Sequence, residues 1–301
     1  MQMRARLKTS LTALVGGALL LLGGAAHADV RVAASSSNMA MLVETIGGPH
    51  VEVTTMAPPD RDLHYLEARP SMMAAIRNAD LVVSVGAELE EGWLPAAING
   101  ANNPEVQPGR SGYFEAAAQV ELIGQLDAAD RAGGDVHPKG NPHVYLDPVR
   151  MAEVGRALAQ RLAALEPAHE ETFRENARAF SEAVDSRMEQ WTAAVEGAPG
   201  VVLYHEDANY LLERFDVPIH GFLEPLPGVP PTGRHLRELV RDLRDAEGVI
   251  LHMSFQPADG ARFLARELGW EVHTMENGVP VGGDAEEYFA LIDRWIEVLA
   301  P

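Results

Sequence analysis

Apolar and polar positions along the chain divide it into two similar halves joined by one long amphipathic stripe. In the first half, Val30-Arg31-Val32-Ala33-Ala34 alternates and runs into Ser35-Ser36-Ser37-Asn38, a strand followed by helix-capping side chains. Residues 39–46 predict a short helix closed by Gly47-Gly48-Pro49, and Val51-Glu52-Val53-Thr54-Thr55-Met56 alternates again as a second strand. A helix over 71–78 leads into Leu81-Val82-Val83-Ser84-Val85, an unbroken apolar run of the buried-strand type. Residues 88–101 predict another helix. Residues 102–141 carry little pattern and several glycines and prolines, so their last part, around 130–135, reads as a surface loop.

The strongest periodicity follows. Phe173, Ala177, Phe180, Val184, Met188, Trp191 and Val195 form one apolar stripe on a helix predicted over 167–196. At 1.5 Å per residue that helix would be roughly 40 Å long, enough to span two lobes. Its Met and Trp have the spacing of packing surface. Beyond Gly197-Ala198-Pro199-Gly200 the strand–helix alternation resumes with Val201-Val202-Leu203-Tyr204, a short strand at 217–219, a helix capped by Thr232, strands at 248–251 and 271–275, and a closing helix over 284–299. Strand–helix–strand units at this spacing predict an α/β fold with mostly parallel sheets. The expected architecture is two pseudo-symmetric lobes, each a sheet flanked by helices, joined by one long rigid helix. The boundaries would be an N-terminal lobe over 29–166, the linking helix over 167–196 and a C-terminal lobe over 197–301.

Residues 1–28 do not fit this pattern. Arg4, Arg6 and Lys8 precede an apolar run over 11–22 and then Ala26-His27-Ala28, the layout of a cleavable secretory signal with cleavage after Ala28. The chain has no cysteine, which predicts neither disulfides nor a lipid-bearing cysteine, and so a freely soluble periplasmic protein. The net charge of −20 becomes about −23 over roughly 273 residues once the leader is removed. Such an acid excess argues against a nucleic-acid partner, which needs a basic footprint.

Candidate chemistry lies in the histidines. His143 sits in Gly140-Asn141-Pro142-His143-Val144-Tyr145-Leu146-Asp147-Pro148, where prolines on both sides restrain the turn and Pro148 suits the first turn of a helix. His64 lies on a polar loop just past the second strand, and His205 directly follows Val201-Val202-Leu203-Tyr204. Ligand sites of open α/β sheets favour the carboxyl ends of strands. Each histidine alone is an ordinary surface or core residue. Together, at the same end of two lobes, His64, His143 and His205 make a candidate metal site. Glu206 and Asp207 would orient His205 or raise the local negative potential, although acids at a helix start need no such explanation.

Several spaced stretches then carry a family resemblance: Asp62-Leu63-His64-Tyr65-Leu66-Glu67-Ala68-Arg69-Pro70-Ser71, Ala79-Asp80-Leu81-Val82-Val83, residues 141–148, Tyr204-His205-Glu206-Asp207, and Glu224-Pro225. In this order they resemble the periplasmic solute-binding proteins of zinc and manganese ABC importers, the cluster with a rigid helix between lobes. The resemblance spans the mature chain and implies a monomeric metal receptor, not an enzyme. It would deliver Zn²⁺ to a membrane ABC permease, with a periplasmic metallochaperone as a further partner. It carries His64, His143 and His205 over as ligands. The family's usual fourth ligand, an aspartate in an Asp-Pro step, is missing. Glu276 and Asp284 stand as the alternatives, Glu276 favoured because Asp284 with Glu287 makes a helix N-cap signature. Three imidazoles and one carboxylate suit four-coordinate Zn²⁺, whereas Mn²⁺ takes more oxygen. His137 stands where zinc-specific members carry a histidine-rich loop, as an auxiliary capture ligand or a plain loop residue. The competing readings are a manganese receptor of the same family and a zinc-dependent hydrolase, which needs an open coordination position and a nearby base.

Overall fold

The computed structural model of the protein describes residues 30–125 and 137–301. The predicted leader and its cleavage site, and the surface loop expected at 130–135, lie outside the described residues.

Two four-stranded, all-parallel sheets form the frame. The first contains β1 (Val30–Ala34), β2 (Val51–Thr55), β3 (Leu81–Ser84) and β4 (Tyr113–Glu115), in the spatial order β2-β1-β3-β4. The second contains β5 (Val201–Leu203), β6 (Ile219–Phe222), β7 (Val249–Met253) and β8 (Glu271–Met275), in the order β6-β5-β7-β8. The two orders are the same, so each lobe reverses direction beside its first strand. In such sheets the crevice beyond the strand ends is where ligands collect. Buried Val, Leu and Ile fill the central strands, as sheets covered on both faces require.

Helices α1 (Ser37–Gly47), α2 (Pro70–Asn78), α3 (Leu94–Ala101) and α4 (Pro148–Leu165) belong to the first half. After a 3₁₀ turn at Pro167–His169 comes α5 (Glu170–Ala194), 25 residues and therefore about 37 Å long. Its stripe is buried at Phe173, Ala177, Phe180, Val184 and Trp191, with Met188 half-buried, and the Trp191 indole donates to Asp293 Oδ1 at 2.7 Å. Asp293 lies on the last helix, so α5 is packed to both halves. The second half carries α6 (Asn209–Arg214), α7 (Gly233–Asp242), α8 (Asp259–Leu268) and α9 (Ala285–Leu299). One continuous apolar cluster runs through both lobes and α5, and a smaller one lies between β5, β7, α7 and α8.

Besides the strand expected at 217–219, which forms two residues later as β6, two local expectations differ from the structure. The predicted helix over 88–101 begins only at Leu94. Ahead of it Ala87 and Glu88 take positive φ values of 48° and 70°, and the buried Glu90 turns its carboxylate back to accept from the backbone N–H groups of Val85 and Gly86 at 2.8 and 3.0 Å. This turn lets Trp93 swing inward and donate its indole N–H to the Leu63 carbonyl at 3.0 Å. The second difference is β4, which lies in the weakly patterned region. Three residues on an edge strand are too few to show alternation.

Candidate metal centre

The three histidines arrive from three separate elements. His64 sits in a 3₁₀ turn, Leu63–Tyr65, beyond β2; His143 precedes the turn Val144–Leu146 that feeds α4; His205 follows β5. Their ring centroids form a nearly equilateral triangle with sides of 5.3, 5.3 and 5.2 Å. One nitrogen from each ring lies within 4.8 Å of the other two. With metal–nitrogen bonds of about 2.0–2.1 Å and ring centres roughly 1.1 Å further out, tetrahedral directions put centroids roughly 5.2 Å apart. The triangle has the size of a metal site.

Each ring is also held by its outer nitrogen. His64 Nδ1–H donates to Asp62 Oδ1 at 2.7 Å, and the same oxygen accepts the His64 backbone N–H at 2.9 Å. Asn141 repeats this with His143, its Oδ1 accepting both the Nδ1–H and the backbone N–H at 2.8 Å. His205 Nδ1–H donates to Glu224 Oε2 at 2.8 Å, an oxygen also held by the Gly228 N–H at 2.9 Å. Fixing Nδ1 in this way leaves Nε2 as the nitrogen available to a cation. For His205, buried to 7% exposure, Nε2 has no hydrogen-bond partner among the described atoms. A buried polar atom is rarely left so without a ligand to receive.

Glycines make two of these approaches possible. A Cβ at Gly92 would stand 2.9 Å from the His64 carbonyl oxygen. Gly140 has φ +117°, and a Cβ there would meet Leu122 Cβ at 2.7 Å and the Ile123 carbonyl at 2.8 Å. Gly140 is visible in the sequence as a glycine three residues before His143, whereas nothing local to Gly92 points to His64. The supporting Trp93, from the misread 88–101 stretch, left no signal at all.

The electrostatics differ from ring to ring. Burial, and then the neighbouring imidazoles of His205 and His64, push His143 well below the ordinary histidine range. Burial opposes charge on His205 too, but the Glu224 hydrogen bond and the Asp207, Glu224 and Glu206 charges outweigh it and raise its pKa to about 9. Burial works to raise Asp62, yet its bonds to His64 hold it below the usual carboxylate range. Asp207 is buried and raised mainly by that burial, and its Oδ1 lies 3.9 Å from His143 Nε2. It faces His143 and accepts from Gln256 Nε2 at 2.8 Å, so of the two roles expected for it, orienting His205 or raising the local negative potential, its position fits the second.

The two predicted carboxylates stand outside the three-histidine group. Asp284 accepts from the Glu287 backbone N–H at 3.0 Å while Glu287 Oε2 accepts from the Asp284 N–H at 3.1 Å, a complete capping box at the start of α9. Glu276 is exposed and bonded to Ser254 Oγ at 3.0 Å. Its loop, however, is tied to the first lobe: Asn38 Nδ2 donates to the Asn277 carbonyl at 2.8 Å, and the Val279 N–H donates to Asn38 Oδ1 at 3.1 Å. His137, by contrast, comes close, with its Nε2 3.1 Å from His64 Nε2. A cavity of about 310 Å³, lined by Asp62, His64, Tyr65, Tyr204, His205 and Glu224 among others, adjoins the cluster.

A family model described as the periplasmic zinc-uptake complex component A, ZnuA, matches residues 32–301 of the chain. The protein belongs to this family. Among curated relatives, the manganese ABC transporter substrate-binding lipoprotein PsaA of Streptococcus pneumoniae is 24% identical over 225 residues, covering 72% of this chain and 69% of its own. Among solved structures, ZnuA aligns with a TM-score of 0.74 at 18% identity, over 90% of this chain and 99% of that one. The Pseudomonas aeruginosa protein FpvC in complex with Ni²⁺ aligns with a TM-score of 0.74 at 22% identity, over 89% and 94%. These likenesses show the fold of two lobes and a long joining helix. The protein is therefore a metal-binding substrate-binding protein of the ABC-importer type, a receptor that works with a membrane permease and ATPase. No described helix is long and apolar enough to cross a membrane.

Proposed function

We propose that the protein is a periplasmic zinc receptor, which holds Zn²⁺ through Nε2 of His64, His143 and His205 and hands it to an ABC permease. The observation that carries this reading is the triangle of imidazoles, each with Nδ1 satisfied from outside. Three borderline nitrogens favour Zn²⁺ over Mn²⁺, whose sites are richer in oxygen. The cargo is bound and released unchanged, so zinc-loaded protein should hydrolyse ester and peptide substrates no faster than background. The N-terminal lobe over 29–166 and the C-terminal lobe over 197–301 meet at the centre, and we expect the receptor to act as a monomer, loaded from the periplasm or from a metallochaperone.

For the fourth position we assign two residues to two stages. His137 supplies a nitrogen during capture, as its closeness to His64 Nε2 suggests. Glu276 closes the site by exchanging Ser254 for the metal, while Asp284 remains the cap of α9. Competitive titration of metal-free protein with Zn²⁺ and Mn²⁺ tests the reading. The expected result is one Zn²⁺ per chain, bound at least 100-fold more tightly than Mn²⁺. Preferential Mn²⁺ binding, or no Zn²⁺ binding at neutral pH, would sink it.

A further inference from the structure

Asn141 does more than hold one ring. It is buried to 5% exposure, and every polar atom it owns is engaged. Oδ1 accepts the backbone and ring N–H groups of His143, both at 2.8 Å. Nδ2 donates to the carbonyl of Glu206 at 2.9 Å, the residue next to His205 on the opposite lobe. Its backbone carbonyl accepts from Tyr210 Oη at 2.6 Å, and its N–H donates to the Ile123 carbonyl at 2.8 Å. Tyr210 belongs to α6 of the second lobe, and the same hydroxyl accepts the Ile123 N–H at 3.1 Å.

The two ends of one amide group thus grip two ligand-bearing segments from different lobes. We infer that Asn141 is a positioning residue that fixes the spacing between His143 and His205, with Tyr210 locking its backbone from the second lobe. Geometry gives the reason. Two imidazoles on independent lobes would otherwise drift with every lobe motion, and a drift of a few tenths of an ångström at both metal bonds weakens coordination directly. An amide is the side chain that suits this post, because one end must accept from a ring N–H while the other must donate to a peptide carbonyl. Rigid spacing would also keep the three-nitrogen triangle assembled before the cation arrives. Opening the site for release then requires breaking the Nδ2–Glu206 bond between the lobes.

The inference rests on the three-histidine reading, and one substitution separates bridging from ring-holding. Asn141→Asp keeps Oδ1 for His143 but loses the donor and sets an oxygen against the Glu206 carbonyl. Asn141→Ala loses both grips. Zinc release is timed by transfer to an excess fluorescent chelator, and amide hydrogen exchange is followed on the metal-free proteins. Bridging predicts that Asn141→Asp speeds release at least tenfold and loses exchange protection together at 141–146 and 204–208. Tyr210→Phe, which keeps the ring and removes only the hydroxyl, should speed release several-fold. If Asn141→Asp behaves like the parent in both measurements and only Asn141→Ala is impaired, Asn141 merely orients His143 and the bridge is wrong. If protection falls at 141–146 alone, the bridge is equally wrong. Because the exchange measurement needs no metal, its outcome decides the bridge even if the parent protein proves not to bind zinc, a result that would fail the zinc reading separately.

Discussion

Asp62 Oδ1 receives two hydrogens from one residue, the backbone N–H and the ring Nδ1–H of His64. Asn141 does the same for His143 with the same two-residue spacing. The shared unit is an acidic or amide residue, one intervening residue, then histidine. It ties ring orientation to backbone conformation, so the local turn alone aims each Nε2. The version at Asp62 differs in placing a carboxylate behind the ring, so a cation on the other nitrogen of His64 would face a negative charge across the imidazole.

Removing the Asp62 clamp should therefore weaken metal binding without unfolding the lobe. Asp62→Ala is expected to lower zinc affinity about 10- to 100-fold, the usual cost of losing an outer partner of a metal-bound histidine. Asp62→Asn, which keeps an acceptor in place, should lose less. Competition against a chelator of known affinity measures both. Equal affinity for the parent and Asp62→Ala would mean that packing of the loop by Trp93 suffices to aim the ring.

Metal binding should expel a proton, and His205 is its source. The folded pKa of about 9 stands above the ordinary value of 6.5. Protonated His205 therefore stabilises the metal-free fold, a contribution complete below about pH 6.5 and lost as pH rises through about 9. A bound cation needs the neutral ring, so between these limits binding must displace the proton. His143, held well below its ordinary range, is already neutral and adds none. Calorimetry at pH 7.5 in buffers of different ionisation enthalpy should give about one proton from this ring per zinc, falling away above about pH 9. Glu224→Gln should reduce that release at pH 7.5.

Much of this was legible in the chain. Alternating runs at β1 and β2 and apolar runs such as β3 and β5 marked seven of the eight strands, β6 starting two residues later than expected, because buried parallel strands write their environment into Val, Ile and Leu. The stripe from Phe173 to Val195 showed a long helix, because one face had to stay apolar over its whole length. The Asp284 cap was readable from Glu287 three residues on. His64, His143 and His205 each follow a strand end or a restrained turn in the sequence, and the fold brings the three together. What stayed hidden was whatever depends on distance across the fold: Trp93 reaching Leu63, Asn38 gripping the loop after β8, and Asp207 standing against His143. Those contacts join residues between 30 and 241 positions apart, and no local pattern records them.

The two carboxylates once open for the fourth position separate cleanly by experiment. Asp284→Ala removes the N-cap of α9 and should cost about 0.5–2 kcal/mol of stability, seen in denaturant unfolding, with zinc affinity unchanged. Glu276→Gln leaves the fold alone, since its side chain is exposed and only the Ser254 contact is altered. It should raise the zinc release rate by tenfold or more. Reversal of the two phenotypes would assign Asp284 to the metal.

His137 gives the sharpest kinetic expectation. Its Nε2 lies 3.1 Å from His64 Nε2, yet its ring centroid stands 6.2 Å from that of His143, wider than the sides of the three-histidine triangle. A nitrogen so placed meets an incoming cation beside His64 but is not spaced like the other three around a common centre. It should therefore speed arrival more than it slows departure. In stopped-flow binding of Zn²⁺ to metal-free protein, His137→Ala is expected to lower the association rate constant several-fold while changing the release rate less than twofold. His64→Ala, in contrast, should raise release by orders of magnitude, because it removes one of the three nitrogens that hold the ion. A His137→Ala variant with unchanged association and much faster release would make His137 a resident ligand and leave Glu276 outside the centre.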